Sequence, residues 1–296
     1  MLRAITIAIL LLLCSACSRT EFAYRNADWL LEYYAWKALK TNAVQRDHWQ
    51  PVVQSTLRHH REQELPLVIA WLNLAERSTR KTAESAGTAC LLDSALLLYQ
   101  RHARLAVELA TPLLAELGAA QIRHLEEYMR ERQQDDIELY LNPDPQRRKV
   151  ARQQRITERI ENWTGKLNDS QHQLINNTLS RIPDLSPSWL DYRAQQTGTL
   201  LTILSNGADA EELRAYLYSW WVYRDGITTE TREDWQVARQ EFIQLMDKLA
   251  TSLSTAQRTT LENRLIEMRE ALATFVLPEP VPVNLPDVPA CASPTG

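Results

Sequence analysis

Few residues in this sequence have the types and spacing that chemistry uses. Cys17 is the first: an apolar run from Ala4 to Leu13 and two small residues, Ser15 and Ala16, precede it and present its thiol as an acyl acceptor. His60 and Glu64 stand four residues apart, about one helical turn, so they could share a metal ion. His59 is beside them, but no second His/Cys cluster supplies further ligands. A helix C-terminus also favours histidine on dipole grounds alone, so no metal centre is expected. Arg25 and Asp28 are spaced to pair across one turn, with Tyr24 and Trp29 as neighbours. That group reads either as a ligand site near the membrane or as a structural ion pair orienting the first helix. Arg61, next to His60, completes the candidate binding set of Tyr24, Arg25, Asp28, Trp29, His60, Arg61 and Glu64. No Gly-x-Ser-x-Gly elbow, HExxH or phosphate loop occurs, so no residue is assigned to catalysis and no cofactor is implied.

The apolar run follows one basic residue, Arg3. It is far shorter than the roughly 20 residues of a spanning helix and fits the core of a signal peptide. Ser15-Ala16-Cys17 is then the pattern of a bacterial lipobox, with one departure: Cys14 stands where leucine is usual. A cut before Cys14 would put Leu13 at a position that takes Gly, Ala or Ser, so Cys17 is the expected lipidation site. The alternative is an ordinary secreted protein cut near Ala16. Residues 1–16 are read as the leader, and its loss takes Lys plus Arg from 33 to 32 against 37 acidic residues. Acyl chains on Cys17 would hold the protein to a membrane. Ser18, in place of Asp, favours the outer membrane, facing the periplasm.

The elements that position these residues are helices. Glycine is scarce, with seven in the chain, while Leu and Ala are abundant. Charges of both signs are interspersed and mildly acidic, which argues against a nucleic-acid partner. From Phe22 to Ala38 apolar residues recur at helical spacing, and Trp29, Tyr33 and Trp36 make a second stripe on another face. Two apolar faces predict a first helix buried on both sides and central to the fold. A second helix opens at Asn42, carries Pro51 and ends near Gln63, because Glu64-Leu65-Pro66 predicts a break. Further helices follow to about Thr274, giving about ten in all and no strand. Ser186-Pro187 predicts a serine cap with proline at the first helical position. Tyr216, Trp220, Trp221 and Tyr223 share one helix, as core packing or as an exposed patch for a protein or glycan. Six prolines between Pro278 and Pro294 predict an extended, disordered tail over 275–296. Cys90 and Cys291 remain for a disulfide; the alternative is a buried Cys90 and a free tail thiol.

Four helix starts share a cap residue followed three positions later by Gln: Asn42 and Gln45, Gly118 and Gln121, Asn168 and Gln171, Ser254 and Gln257. The order of these marks repeats between residues 22–140 and 146–274, as two duplicated four-helix units would. The block Tyr24-Arg25-Asn26-Ala27-Asp28-Trp29, with Gln45-Arg46, His60-Arg61 and Glu64-Leu65-Pro66, resembles a bacterial lipoprotein family known only as a domain of unknown function. The resemblance implies an all-helical, lipid-anchored envelope protein and no particular activity. Leu253-Ser-Thr-Ala-Gln257 is similar to the Leu-Thr-x-x-Gln motif of small periplasmic helical chaperones. Glu84-Ser85 matches the catalytic pair of helical lytic transglycosylases, but the partner motifs expected downstream are missing.

The expectation is an all-α, multi-helix bundle (residues 17–274) tethered to a membrane. It would bind another envelope protein, an unfolded chain or a lipid without transforming it, or serve as a scaffold. The alternative is an envelope hydrolase acting through carboxylates that the sequence does not identify.

Overall fold

Side chains that satisfy the first free amides set most helix starts. Asn42, Asn168 and Ser254 each accept a hydrogen bond from the amide of the Gln three residues on, and that Gln accepts one from the cap residue's own amide. At Gly118 only the second half is possible: its amide donates to Gln121 Oε1 at 3.1 Å, while the Gln121 amide turns to the Gly118 carbonyl. Asp144, Asp209 and Thr228 cap three more helices. Ser186 does not act as a cap; it is the first helical residue, and Asp184 accepts from its amide.

The computed structural model describes residues 17–80, 87–141 and 144–277, and these are all-helical, with no strand among them. The elements in order are α1 (Cys17–Arg25), α2 (Ala27–Leu39), α3 (Ala43–His59), a π-helical turn π1 (His60–Glu64) and α4 (Leu65–Thr79). They continue with α5 (Thr88–Ala115), α6 (Ala119–Tyr140), α7 (Pro145–Thr164), α8 (Asp169–Leu179) and α9 (Ser186–Ser205). The last are α10 (Ala210–Leu217), a second π-helical turn π2 (Tyr218–Tyr223), α11 (Thr229–Ser252) and α12 (Thr255–Ala273). The leader, Glu84-Ser85, Cys291 and the proline tail from 278 lie outside the described residues.

Two further expectations fail for physical reasons. The break at Glu64-Leu65-Pro66 is absent, because the Leu65 amide bonds to the His60 carbonyl five residues back and α3 runs through π1 into α4. Proline's ring would meet the carbonyl four residues earlier in an α-helix, and the wider turn gives it room. The first helix is neither single nor central. It steps at Asn26 (φ −108°, ψ 25°), and α2 buries one face while leaving its aromatic stripe in solvent.

Packing repeats within the chain. In the first half α2 packs on α3 and α6, and α3 on α5; in the second α7 packs on α8 and α12, and α8 on α11. Two of the four glutamine caps close each set. Gln45 and Gln121 bond through their side-chain amides and donate across to Glu116 O (2.8 Å) and Leu39 O (3.0 Å), each just ahead of the other's helix start. Gln171 and Gln257 do the same, donating to Ser252 O (3.2 Å) and Lys166 O (2.7 Å). The intervening segments are exchanged: α4 packs on α12 of the second set, and α9 on α6 of the first. The cores follow suit. The largest joins Trp49, Val53 and Val107 to Leu200, Leu213 and Leu217, while Leu65 and Leu72 share another with Leu265 and Leu272. Segments 22–140 and 146–274 therefore interleave in space.

Candidate functional site

The π1 turn is where chemistry-bearing side chains gather. His60 and Glu64 lie in this turn, and instead of the pair that the i,i+4 spacing predicts, each takes partners from other helices. Glu64 is 2% exposed and takes a bidentate pair of bonds from Arg101 of α5, both 2.7 Å, with His59 Nε2 at 3.6 Å. Burial alone would raise its carboxyl pKa, but the Arg101 hydrogen bonds and charge outweigh that and hold it below the usual range.

His60 sits between Tyr24 of α1 and His102 of α5. Tyr24 OH is 2.8 Å from His60 Nδ1, His60 Nε2 is 3.0 Å from His102 Nε2, and His102 Nδ1 is 2.6 Å from the Leu98 carbonyl. A carbonyl only accepts, so His102 Nδ1 carries a proton, and in the neutral tautomer its Nε2 is bare. His60 must then donate from Nε2, and its bare Nδ1 accepts from the Tyr24 hydroxyl. The neutral chain is fully determined in direction. Desolvation first, then the proximity of His102, brings the His60 pKa down to about 4 despite the opposing pull of Glu64. Burial raises the Tyr24 pKa, and the Arg61 guanidinium, 5.7 Å from its ring centroid, opposes that rise. Tyr24 also packs on Phe275 at 4.6 Å, which joins the first helix and the start of the C-terminal segment to the body.

The structure thus brings together Tyr24, His60, Arg61 and Glu64 of the candidate set and adds Arg101 and His102. Arg25, Asp28 and Trp29 are elsewhere. Arg25 pairs with Glu21 in solvent, Asp28 accepts from the Trp29 amide, and the Trp29 ring faces outward. Cys17 is the first residue of α1, and Cys90, in the first turn of α5, is disulfide-bonded. Gln100-Arg101-His102 carried a local signal, a basic pair on a helix, but nothing in the sequence says that α5 passes beside π1. Among the described residues no three His, Cys, Asp or Glu side chains are placed to hold a metal ion. No described helix is long and apolar enough to cross a membrane.

Two depressions lie near π2. A groove of about 240 Å³ is lined by Leu96, Tyr99, Tyr223, Arg224, Arg232 and Trp235. Arg224 has a left-handed backbone (φ 57°), and its guanidinium stacks 4.7 Å from the Tyr99 ring and 5.5 Å from that of Trp235. The expected aromatic cluster is divided here: Tyr216, Trp220 and Trp221 pack on the main core, while Tyr223 stands in solvent. The second depression, about 410 Å³, is lined by Asp184, Asp191, Glu230 and Asp234 with Tyr192, whose buried hydroxyl has no hydrogen-bond partner.

No curated protein and no solved structure matches the chain. Residues 37–219 match a family described as "Family of unknown function (DUF6279)". That span takes in π1, Arg101, His102 and the Leu96–Tyr99 side of the groove, but neither the Tyr24–Trp29 block nor Tyr223 and Arg224. It is well over half the length, and the chain accordingly belongs to the DUF6279 family of unknown function.

Proposed function

We propose that this is a lipid-anchored protein of the cell envelope, held by Cys17 on the periplasmic side of the outer membrane, whose helical body binds another envelope protein and catalyses nothing. The groove beside π2 carries the binding reading. It presents exposed Tyr99 and Tyr223 around an arginine held in a strained backbone and stacked between two rings. Arginine and large aromatics concentrate binding energy at interfaces, and strain is retained where the surroundings use it. In the His60 cluster the hydrogen bonds of His60 and His102 and the Arg101 pair on Glu64 close on one another within the body, which a structural role accounts for. The crossed glutamine pairs support the chaperone-like resemblance only as architecture. Together with the repeated packing they also favour a duplicated four-helix unit with exchanged insertions.

The test has two parts. A palmitate analogue should label the protein, and Cys17→Ser should abolish the label and release the chain from the membrane fraction. The mature protein should then enrich a partner from envelope extract over a control lipoprotein, with the enrichment lost in Tyr99→Ala/Tyr223→Ala. An equal yield from both forms removes the groove from consideration. The hydrolase alternative has one observation in its favour, the carboxylates converging on the second depression. Cleavage of peptidoglycan that disappears in Asp191→Asn or Asp234→Asn would establish it instead.

A further inference from the structure

We infer that the outer face of α2 lies on the bilayer, at the level of the lipid headgroups, and fixes how the body is oriented on the membrane. This deepens the proposed anchorage and rests on it for the choice of occupant. The inner face of α2 is accounted for: Leu31, Ala35, Ala38 and Leu39 pack on the main core against α3 and α6. The outer face is not. Trp29, Tyr33 and Trp36 recur at spacings of four and three, one side of a helix, and Trp29 and Trp36 are 58% and 44% exposed. Phe22 of α1 adds a ring that is 64% exposed.

The rings are ordered by one another. Trp29 stacks on Tyr33 with centroids 5.5 Å apart and planes 14° from parallel, and Tyr33 meets Trp36 at 6.4 Å. Lys40 Nζ sits 4.2 Å over Trp36, and Lys37 is exposed nearby with Asp28 and with Arg25, which pairs with Glu21. Indole and phenol rings with an apolar body and a polar edge, flanked by cations, are what the headgroup region of a bilayer selects. The position in the chain agrees. Trp29 is twelve residues from Cys17 and Trp36 nineteen, at most about 18 Å and about 28 Å along helices rising about 1.5 Å per residue. Acyl chains on Cys17 would therefore put the stripe within reach of the same plane.

The experiment reconstitutes the full lipoprotein in phosphatidylethanolamine/phosphatidylglycerol vesicles with brominated acyl chains and reads tryptophan quenching, with palmitate incorporation measured on the same preparation. Trp29 and Trp36 are two of nine tryptophans, so wild type should lose roughly a fifth more of its emission than Trp29→Ala/Trp36→Ala. Both rings are exposed, so the variant should keep its fold, checked by circular dichroism. A labelled protein whose quenching matches that of the variant overturns the inference and leaves the anchor standing. Unlabelled protein that still shows the difference supports the inference while the anchor fails. A concentration-dependent cross-link between copies through a photoreactive residue at Tyr33, with no lipid quenching, overturns it in favour of self-association.

Discussion

The neutral chain through Tyr24, His60 and His102 makes a prediction about acid stability. His60 ordinarily titrates near 6.5 and in the folded protein near 4. Between those values the unfolded chain binds a proton there and the folded chain does not, so stability falls as pH drops from about 6.5 to about 4. Below that both states are protonated and His60 contributes no further change. At about 1.4 kcal/mol per pH unit the interval is worth at most about 3.4 kcal/mol. His60 is only partly buried, and solvent screening reduces this to about 2 kcal/mol. The groups facing it are Tyr24, His59, Arg61, Glu64 and His102. Glu64 has a lowered pKa, so its stabilisation is present above about 4.5 and is lost as pH falls through its folded value. The perturbation is His60→Gln, which keeps an acceptor for Tyr24 and a donor for His102 but cannot take up a proton. Urea unfolding of both proteins, followed by circular dichroism at several pH values from about 7 to about 4.5, isolates the histidine from the carboxyl. Wild type should lose about 1.5 kcal/mol more than the variant across that range. Parallel stability curves would refute the assignment of a neutral His60.

Other expectations follow from single contacts. Glu64→Ala leaves the Arg101 guanidinium without its bidentate partner and should cost roughly 3 kcal/mol by urea unfolding, the low end for a broken buried pair because Arg101 is partly solvated; a loss under about 1 kcal/mol would contradict the pairing. Gln171→Met orphans the Asn168 amide and part of the Gln257 amide, for roughly 2–4 kcal/mol. Adding Gln257→Met removes the second partner, so the double variant should be roughly 1 kcal/mol less damaged than the sum of the two, and strict additivity would show that the crossed pair is not coupled. Gly226→Ala must hold alanine at φ 84° with its Cβ 3.1 Å from Gln196 Nε2, costing roughly 1–2 kcal/mol in thermal unfolding.

A helix and its cap are made from residues within four positions of each other, which is why so much of this fold was legible along the chain. The starts at Asn42, Gly118, Asn168 and Ser254, the long helices through Val107 and Leu245, and the absence of strands in the described residues all follow from local hydrogen bonding and a 3.6-residue apolar period. Tyr24, His60, Arg61 and Glu64 were singled out by residue type and spacing, and the pairing that spacing predicts for His60 and Glu64 is not the one formed. Their partners do not follow, because Arg101 and His102 are some forty residues on in sequence and reach π1 only through the packing of α5. Proline at 66 signals a conflict with α-helical geometry, and a break or a wider turn resolves it equally well locally; burial of Leu65 and Glu64 on opposite partners selects the turn. The stripe on α2 is the sharpest case. Two apolar faces compete for one core, and their order in sequence cannot say which is covered. Neighbouring helices bury whichever face they fit. Here α3 and α6 took the one with Leu31 and Ala35 and left the tryptophans outside.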